Sequence, residues 1–246
     1  MILLLDVGNT RVKWAWLEHV SVAPAGAVAH DATHRSWQRE IEADGLRPRR
    51  IVVASVAGPS FRAALTLWSR DHYRLEPEFV AATAACGGVT NAYARPAALG
   101  VDRWLGLIAA RRAARRPTVI VSGGTAVTID TLTLEGHHRG GLIVPGMQMM
   151  RDARARFGSD DELVPGAALR TGAGATSPDG VPELLAALAD RSIDEFGARV
   201  GEAPRVVLTG GDARLLEAHL VHAAEVVPDL VLSGLAIIAT GDAARG

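Results

Sequence analysis

Asp6-Val7-Gly8-Asn9-Thr10 is the first stretch whose residue types could do chemistry, with Lys13 close behind it. A Gly- and Thr-bearing turn between two extended runs aims backbone N–H groups at one point, and such a nest accepts phosphate oxygens. Gly8 lets the chain come close, and Asn9, Thr10 and Lys13 add side-chain donors. Asp6, at the strand's end, is placed to hold a cation or its water beside the phosphates. The same residues suit a hairpin turn chosen for conformation alone. Lys13 and a second copy of the pattern favour phosphate.

That copy is Ser122-Gly123-Gly124-Thr125, with Gly124 matching Gly8 and Ser122 matching Asp6. A third glycine turn, Thr209-Gly210-Gly211-Asp212, leads into a helical run and offers room for adenine with its ribose. The chain holds no G-x-x-x-x-G-K-[ST], which excludes a P-loop, and no strand followed by G-x-G-x-x-G, which disfavours a dinucleotide fold.

Asp102-Arg103 stands at the head of another helical run. Asp102 is the best candidate for a general base toward a substrate hydroxyl. Arg103 is a planar fork for a carboxylate or a phosphate. Local sequence fits equally well an Asp102 that only caps its helix. The eight histidines show no H-E-x-x-H and no zinc spacing, and His137-His138 reads as a strand–loop feature. No nucleophile elbow occurs, and Cys86, the one cysteine, allows neither a disulfide nor a cysteine metal cluster.

The elements that must position these residues fall into two runs. Ile2–Leu5 and Val12–Leu17 read as strands flanking the first turn; Val12, Trp14 and Trp16 share one face and Lys13 the other. A helix over His30–Gly45, a strand at Arg50–Ser55, a helix at Ser60–Asp71 behind Pro59 and a helix at Asp102–Arg112 follow. The pattern restarts with strands at Thr118–Val121, Val127–Leu132 and Gly140–Val144, then a helix over Met147–Arg156. A helix at Ser177–Phe196, a strand at Arg205–Leu208 and an apolar helix at Asp229–Thr240 close the chain. Two halves that begin alike predict an internal duplication, residues 1–116 and 117–246, around a cleft.

The bulk numbers agree with a globular α/β protein. The chain has 246 residues, 48% hydrophobic and 22% charged, with a formal net charge of −1, so no global field draws nucleic acid or an anionic membrane. Arg111, Arg112, Arg115 and Arg116 read as a solvated helix end. The N-terminus lacks a basic leader and no run approaches a membrane span, which predicts a cytoplasmic protein.

Taken in order, the motifs resemble those of type III pantothenate kinases across nearly the whole chain. The pattern is Asp6-Val7-Gly8-Asn9-Thr10, Thr90-Asn91-Ala92-Tyr93, Leu99-Gly100-Val101-Asp102-Arg103-Trp104, Gly124-Thr125-Ala126-Val127-Thr128-Ile129-Asp130 and Gly140-Gly141-Leu142-Ile143-Val144-Pro145-Gly146. The resemblance implies a duplicated actin-like fold, that of actin, sugar kinases and Hsp70. It implies a homodimer and transfer of the ATP γ-phosphoryl group to pantothenate, giving 4′-phosphopantothenate in the first step of coenzyme A synthesis. Asp6, Val7, Gly8, Asn9, Thr10, Arg11, Val12, Lys13 and Thr125 would bind ATP with its Mg²⁺. Tyr93, Gly100, Val101, Asp102, Arg103 and Thr176 would contact pantothenate, with Asp102 as catalytic base. The family carries an aspartate for potassium or ammonium where this chain has Ser122, a neutral oxygen without charge. Two other readings use the same residues: a kinase for another small hydroxyl substrate, and a catalytically degenerate regulator like the Bvg accessory factors. Acceptor tests separate the first and nucleotide turnover the second.

Overall fold

The computed structural model describes residues 1–30, 35–156 and 180–242. β1 (Ile2–Val7) is apolar and deeply buried, and β2 (Arg11–Glu18) returns antiparallel to it with Lys13 directly opposite Asp6. β3 (Ser21–Ala29) follows as an outer strand, which sequence reasoning missed. Pro24 and Gly26 hide it, and Pro is tolerated here because β3 is the sheet's edge. Next come α1 (Ser36–Ala43), β4 (Arg50–Ser55), α2 (Pro59–Trp68) and β5 (Pro77–Phe79). The short pair β6 (Ala85–Cys86) and β7 (Val89–Thr90) then leads to α3 (Val101–Ala113).

The second series repeats the first. β8 (Thr118–Gly123), β9 (Ala126–Leu132) and β10 (His138–Pro145) precede α4 (Met147–Arg156) and α5 (Val181–Val200). Then come β11 (Arg205–Gly210), α6 (Ala213–Glu217), β12 (Glu225–Val226) and α7 (Leu230–Ala239). One sheet runs β3-β2-β1-β4-β5 and the other β10-β9-β8-β11-β12, so the strands occupy the same places in the same sequence. β1 pairs parallel with β4, and β8 pairs parallel with β11. This duplicated α/β arrangement is the actin-like fold expected from the sequence. The expected start of α5 at Ser177 lies outside the described residues. Its far end runs on to Val200, where Gly201 in the left-handed region stops it.

The compact units differ from a division at 116/117 in two segments. One unit holds Met1–Arg116 with Leu132–Gly140 and Asp229–Gly246; the other holds Pro117–Thr131 and Gly141–Pro228. The physical reason lies in α7. Leu232, Leu235, Ala236 and Ala239 are buried with Leu4, Val52, Val101 and Leu105, so the last helix completes the core beneath β1 and α3. On the other face of that sheet, Leu3, Leu5, Val12, Trp14 and Trp16 pack with Trp37, Phe61 and Trp68. The second unit has its own core of Val119, Val121, Ile129, Ile193, Phe196 and Leu208. All five tryptophans are buried, as core residues should be.

Gly234 is where α7 meets α3 most closely: a Cβ there would overlap the Leu105 carbonyl. That neighbour is helix backbone and cannot swing aside. Gly234→Ala is therefore expected to destabilise the protein by about 3 kcal/mol despite its better helix propensity, read as a lowered urea midpoint at unchanged slope.

Candidate functional site

In the first unit the turn after β1 is closed by Gly8 N donating to Arg11 O at 3.0 Å. Asn9 and Thr10 stand exposed at its tip. Gly8 thus gives its N–H to the ladder and contributes room rather than a donor.

Asp6 lies beside this turn with its carboxyl pushed up to about 7. Burial is the largest cause; Lys13 opposes it, and the negative charges of Asp102 and Asp229 add to the rise. Lys13 Nζ donates to Asp229 Oδ1 at 2.9 Å. Three carboxylates and one ammonium therefore share one neighbourhood. Asp229 was not singled out in the sequence, because an Asp ahead of an apolar helix reads as a cap and nothing more.

α3 brings the acceptor-side candidates to the same unit. Asp102 lies in its first turn, and its Oδ1 accepts from the Arg103 backbone N–H at 2.9 Å. The helix cap is Gly100, without a side-chain cap bond, so Asp102 sits inside the first turn with one oxygen on the Arg103 N–H. Gly100 makes room for that carboxylate, because a Cβ there would come within 2.6 Å of Asp102 Oδ1. Arg103 is buried, which no lone arginine tolerates cheaply. Its Nη1 donates to the Tyr93 hydroxyl oxygen at 3.2 Å. Tyr93 in turn stacks on His138 with ring centroids 6.0 Å apart and planes 5° from parallel. Asn91 shapes the approach: its Oδ1 accepts from Tyr93 N at 3.0 Å while its Nδ2 donates to the carbonyls of Thr83 and Pro96. His138 is thus a buried support for Tyr93 as well as a strand residue, a role that only the fold reveals.

The second unit has its own glycine turns. Gly124 and Thr125 are exposed between β8 and β9, and Gly124 N donates to Ala126 O at 3.2 Å. Gly210 has φ +90° and lies so close to the Gly123 carbonyl that only glycine fits. Ser122 pairs with Thr209 across β8 and β11, which puts two neutral oxygen-bearing residues side by side.

The family model for type III pantothenate kinases matches residues 2–160. A type III pantothenate kinase of Nitrosococcus oceani is 37% identical, covering 97% of this chain and 94% of the relative. One from Azoarcus is 38% identical, covering 99% and 92%. This chain belongs to the type III pantothenate kinase family. Among solved structures, a putative Baf family transcriptional activator from Campylobacter jejuni covers 98% of this chain with a TM-score of 0.53 at 19% identity. The ethanolamine utilization protein EutJ from Carboxydothermus hydrogenoformans covers 96% at 0.52 and 12%. Both likenesses are of fold.

Asp6 to Lys13, Tyr93 and Gly100 to Arg103 lie in the first unit, and Ser122 and Thr125 in the second. Thr176 lies outside the described residues. Among the described residues no group of three His, Cys, Asp or Glu is set to hold a metal ion, and no helix is long and apolar enough to cross a membrane.

Proposed function

We propose that this protein phosphorylates pantothenate with ATP, as its family membership implies. The observation that carries the reading is the gathering of Asp6, Lys13, Asp102 and the Tyr93–Arg103 pair in one unit beside the Gly8 turn. Arg103 takes the pantothenate carboxylate, and Tyr93, held by Asn91 and His138, braces the guanidinium. Asp102 orients the acceptor hydroxyl and receives its proton. The hydroxyl oxygen bonds to the γ-phosphorus, the bond to the β,γ-bridging oxygen breaks, and ADP leaves with that electron pair. Lys13 and the turn Val7-Gly8-Asn9-Thr10-Arg11-Val12 hold the phosphates; for Thr125, in the second unit, a part in binding ATP rests on the family resemblance alone.

Asp6 is the residue beside the first turn that would meet a Mg²⁺ carried in on the ATP phosphates. When bound, the ion would supply neutralisation of the charge that develops on the phosphate oxygens. For a monovalent cation, Ser122 and Thr209 offer oxygens without charge, a weaker set than one with a carboxylate. Leu142, Ile143 and Met149 are exposed apolar residues of the second unit and support a homodimer. The substrates, ATP above all, support a cytoplasmic setting.

The test is ADP release by purified protein with Mg·ATP and pantothenate, across a potassium and ammonium series. Pantothenate-dependent turnover establishes the kinase. Its absence under every ion, with folded protein, sinks the reading. Turnover that ignores the ion shows that Ser122 has removed the cation requirement.

A further inference from the structure

Asp229 stands at the head of α7 in a conformation that disfavours it. Its φ of 55° and ψ of 31° lie in the left-handed region, which strains any residue with a Cβ and which Asn and Asp tolerate best. An aspartate at a helix head commonly accepts a first-turn N–H with its side chain, and this one does not. The carboxylate reaches Lys13 Nζ instead, at 2.9 Å and 216 positions away in the chain. Each side chain is only 28% exposed, so solvent and salt screen the pair incompletely.

Both ends are anchored. Lys13 sits in the β1–β2 ladder opposite Asp6. α7 is locked against α3, the helix that carries Asp102 and Arg103, through Gly234 and the buried Leu235 and Leu105. A flexible lysine with three donors is thereby tied to the same rigid frame as the acceptor-side residues.

We propose that Asp229 is a positioning residue that fixes the Lys13 ammonium in the orientation in which it meets the ATP phosphates. The proposal rests on the kinase reading, in which Lys13 binds nucleotide. The Asp229 carboxylate is taken up by Lys13 Nζ at 2.9 Å, so orienting that ammonium is what it contributes.

The test is a double-mutant cycle on the full chain: wild type, Asp229→Asn, Asp229→Gly, Lys13→Met and Lys13→Met with Asp229→Asn. MgATP is titrated without acceptor and followed by ligand-observed NMR, with thermal midpoints alongside. Glycine removes the carboxylate and accepts the left-handed backbone, so Asp229→Gly keeps the fold. With Lys13 present, both Asp229 variants are expected to weaken MgATP about tenfold, the loss of one charge-assisted hydrogen bond's orientation. In the Lys13→Met background Asp229→Asn is expected to cause no weakening. Equal weakening in both backgrounds, or unchanged or tighter binding in the Asp229 variants, overturns the proposal. A wild type that binds MgATP without phosphorylating pantothenate sinks the acceptor reading alone and leaves the cycle readable. A wild type that binds no MgATP overturns both.

Discussion

Asp102→Asn is expected to lower kcat by about 10²- to 10⁴-fold while leaving the fold and the KM for pantothenate nearly unchanged. The amide keeps the shape of the carboxylate, and its oxygen still accepts the Arg103 backbone N–H that Asp102 Oδ1 accepts now. Helix α3 should therefore keep its first turn. Pantothenate keeps Arg103 and Tyr93, so binding survives. What the amide cannot do is take a proton from the attacking hydroxyl. An effect confined to kcat has the signature of an interaction made in the transition state alone. Steady-state ADP release with thermal unfolding as control reads all three quantities. A loss below about fivefold would leave Asp102 only its contact with the Arg103 N–H in the first turn and the reaction without a side-chain base.

The second large effect concerns Asp6 and runs in opposite directions for stability and binding. Its carboxyl is held up to about 7, chiefly by burial, against an ordinary value of 3.8. Between those values the folded protein keeps a proton that the unfolded chain has released. The folded state binds more protons there, so its stability falls as pH rises and levels off above 7. Asn cannot ionise and escapes this loss. Asp6→Asn is thus expected to match wild type near pH 4 and to exceed it by up to about 4 kcal/mol at pH 8. Urea unfolding at the two pH values checks it. Equal stability at pH 8 would mean that Asp6 ionises as an ordinary surface carboxylate. Wild-type affinity for MgATP should move the other way, strengthening as pH rises through 7, because only the ionised form attracts the metal's waters. The variant should lose that dependence: a group that weakens the fold is kept for its charge.

The periodic signals in the sequence carried most of the architecture. Short apolar runs, the alternation of β2 and the glycine turns marked β1, β2, β8 and β9, and the restart near Thr118 marked the duplication that the identical strand orders display. β3 escaped because an exposed edge strand with Pro24 and Gly26 has neither alternation nor β-branched density. The placement of α7 was illegible for another reason: its apolar face states that it must be buried, not against what. Asp229 inherits that blindness, since its partner Lys13 is adjacent only after α7 has docked. Asp102 and Arg103 were legible as reactive types at a helix head. The bracing of Arg103 by Tyr93 and His138 joins residues from three separate segments, and spacing along the chain cannot express it.

The return of α7 to the first unit has a consequence for how the molecule is made. A ribosome delivers β1 through α3 before the second unit, and α7 after it. Until then Leu4, Val52 and Leu105 have no cover on one face, and Lys13 lacks its counter-ion. The second unit, whose core residues all precede α7 in the chain, can close while the first is still waiting. Residues of β1 are thus among the last of the first unit to reach their final packing. A nascent chain stalled before Leu230 would expose an apolar face for chaperones and proteases to recognise, so the phosphate-binding end matures only once α7 has been made.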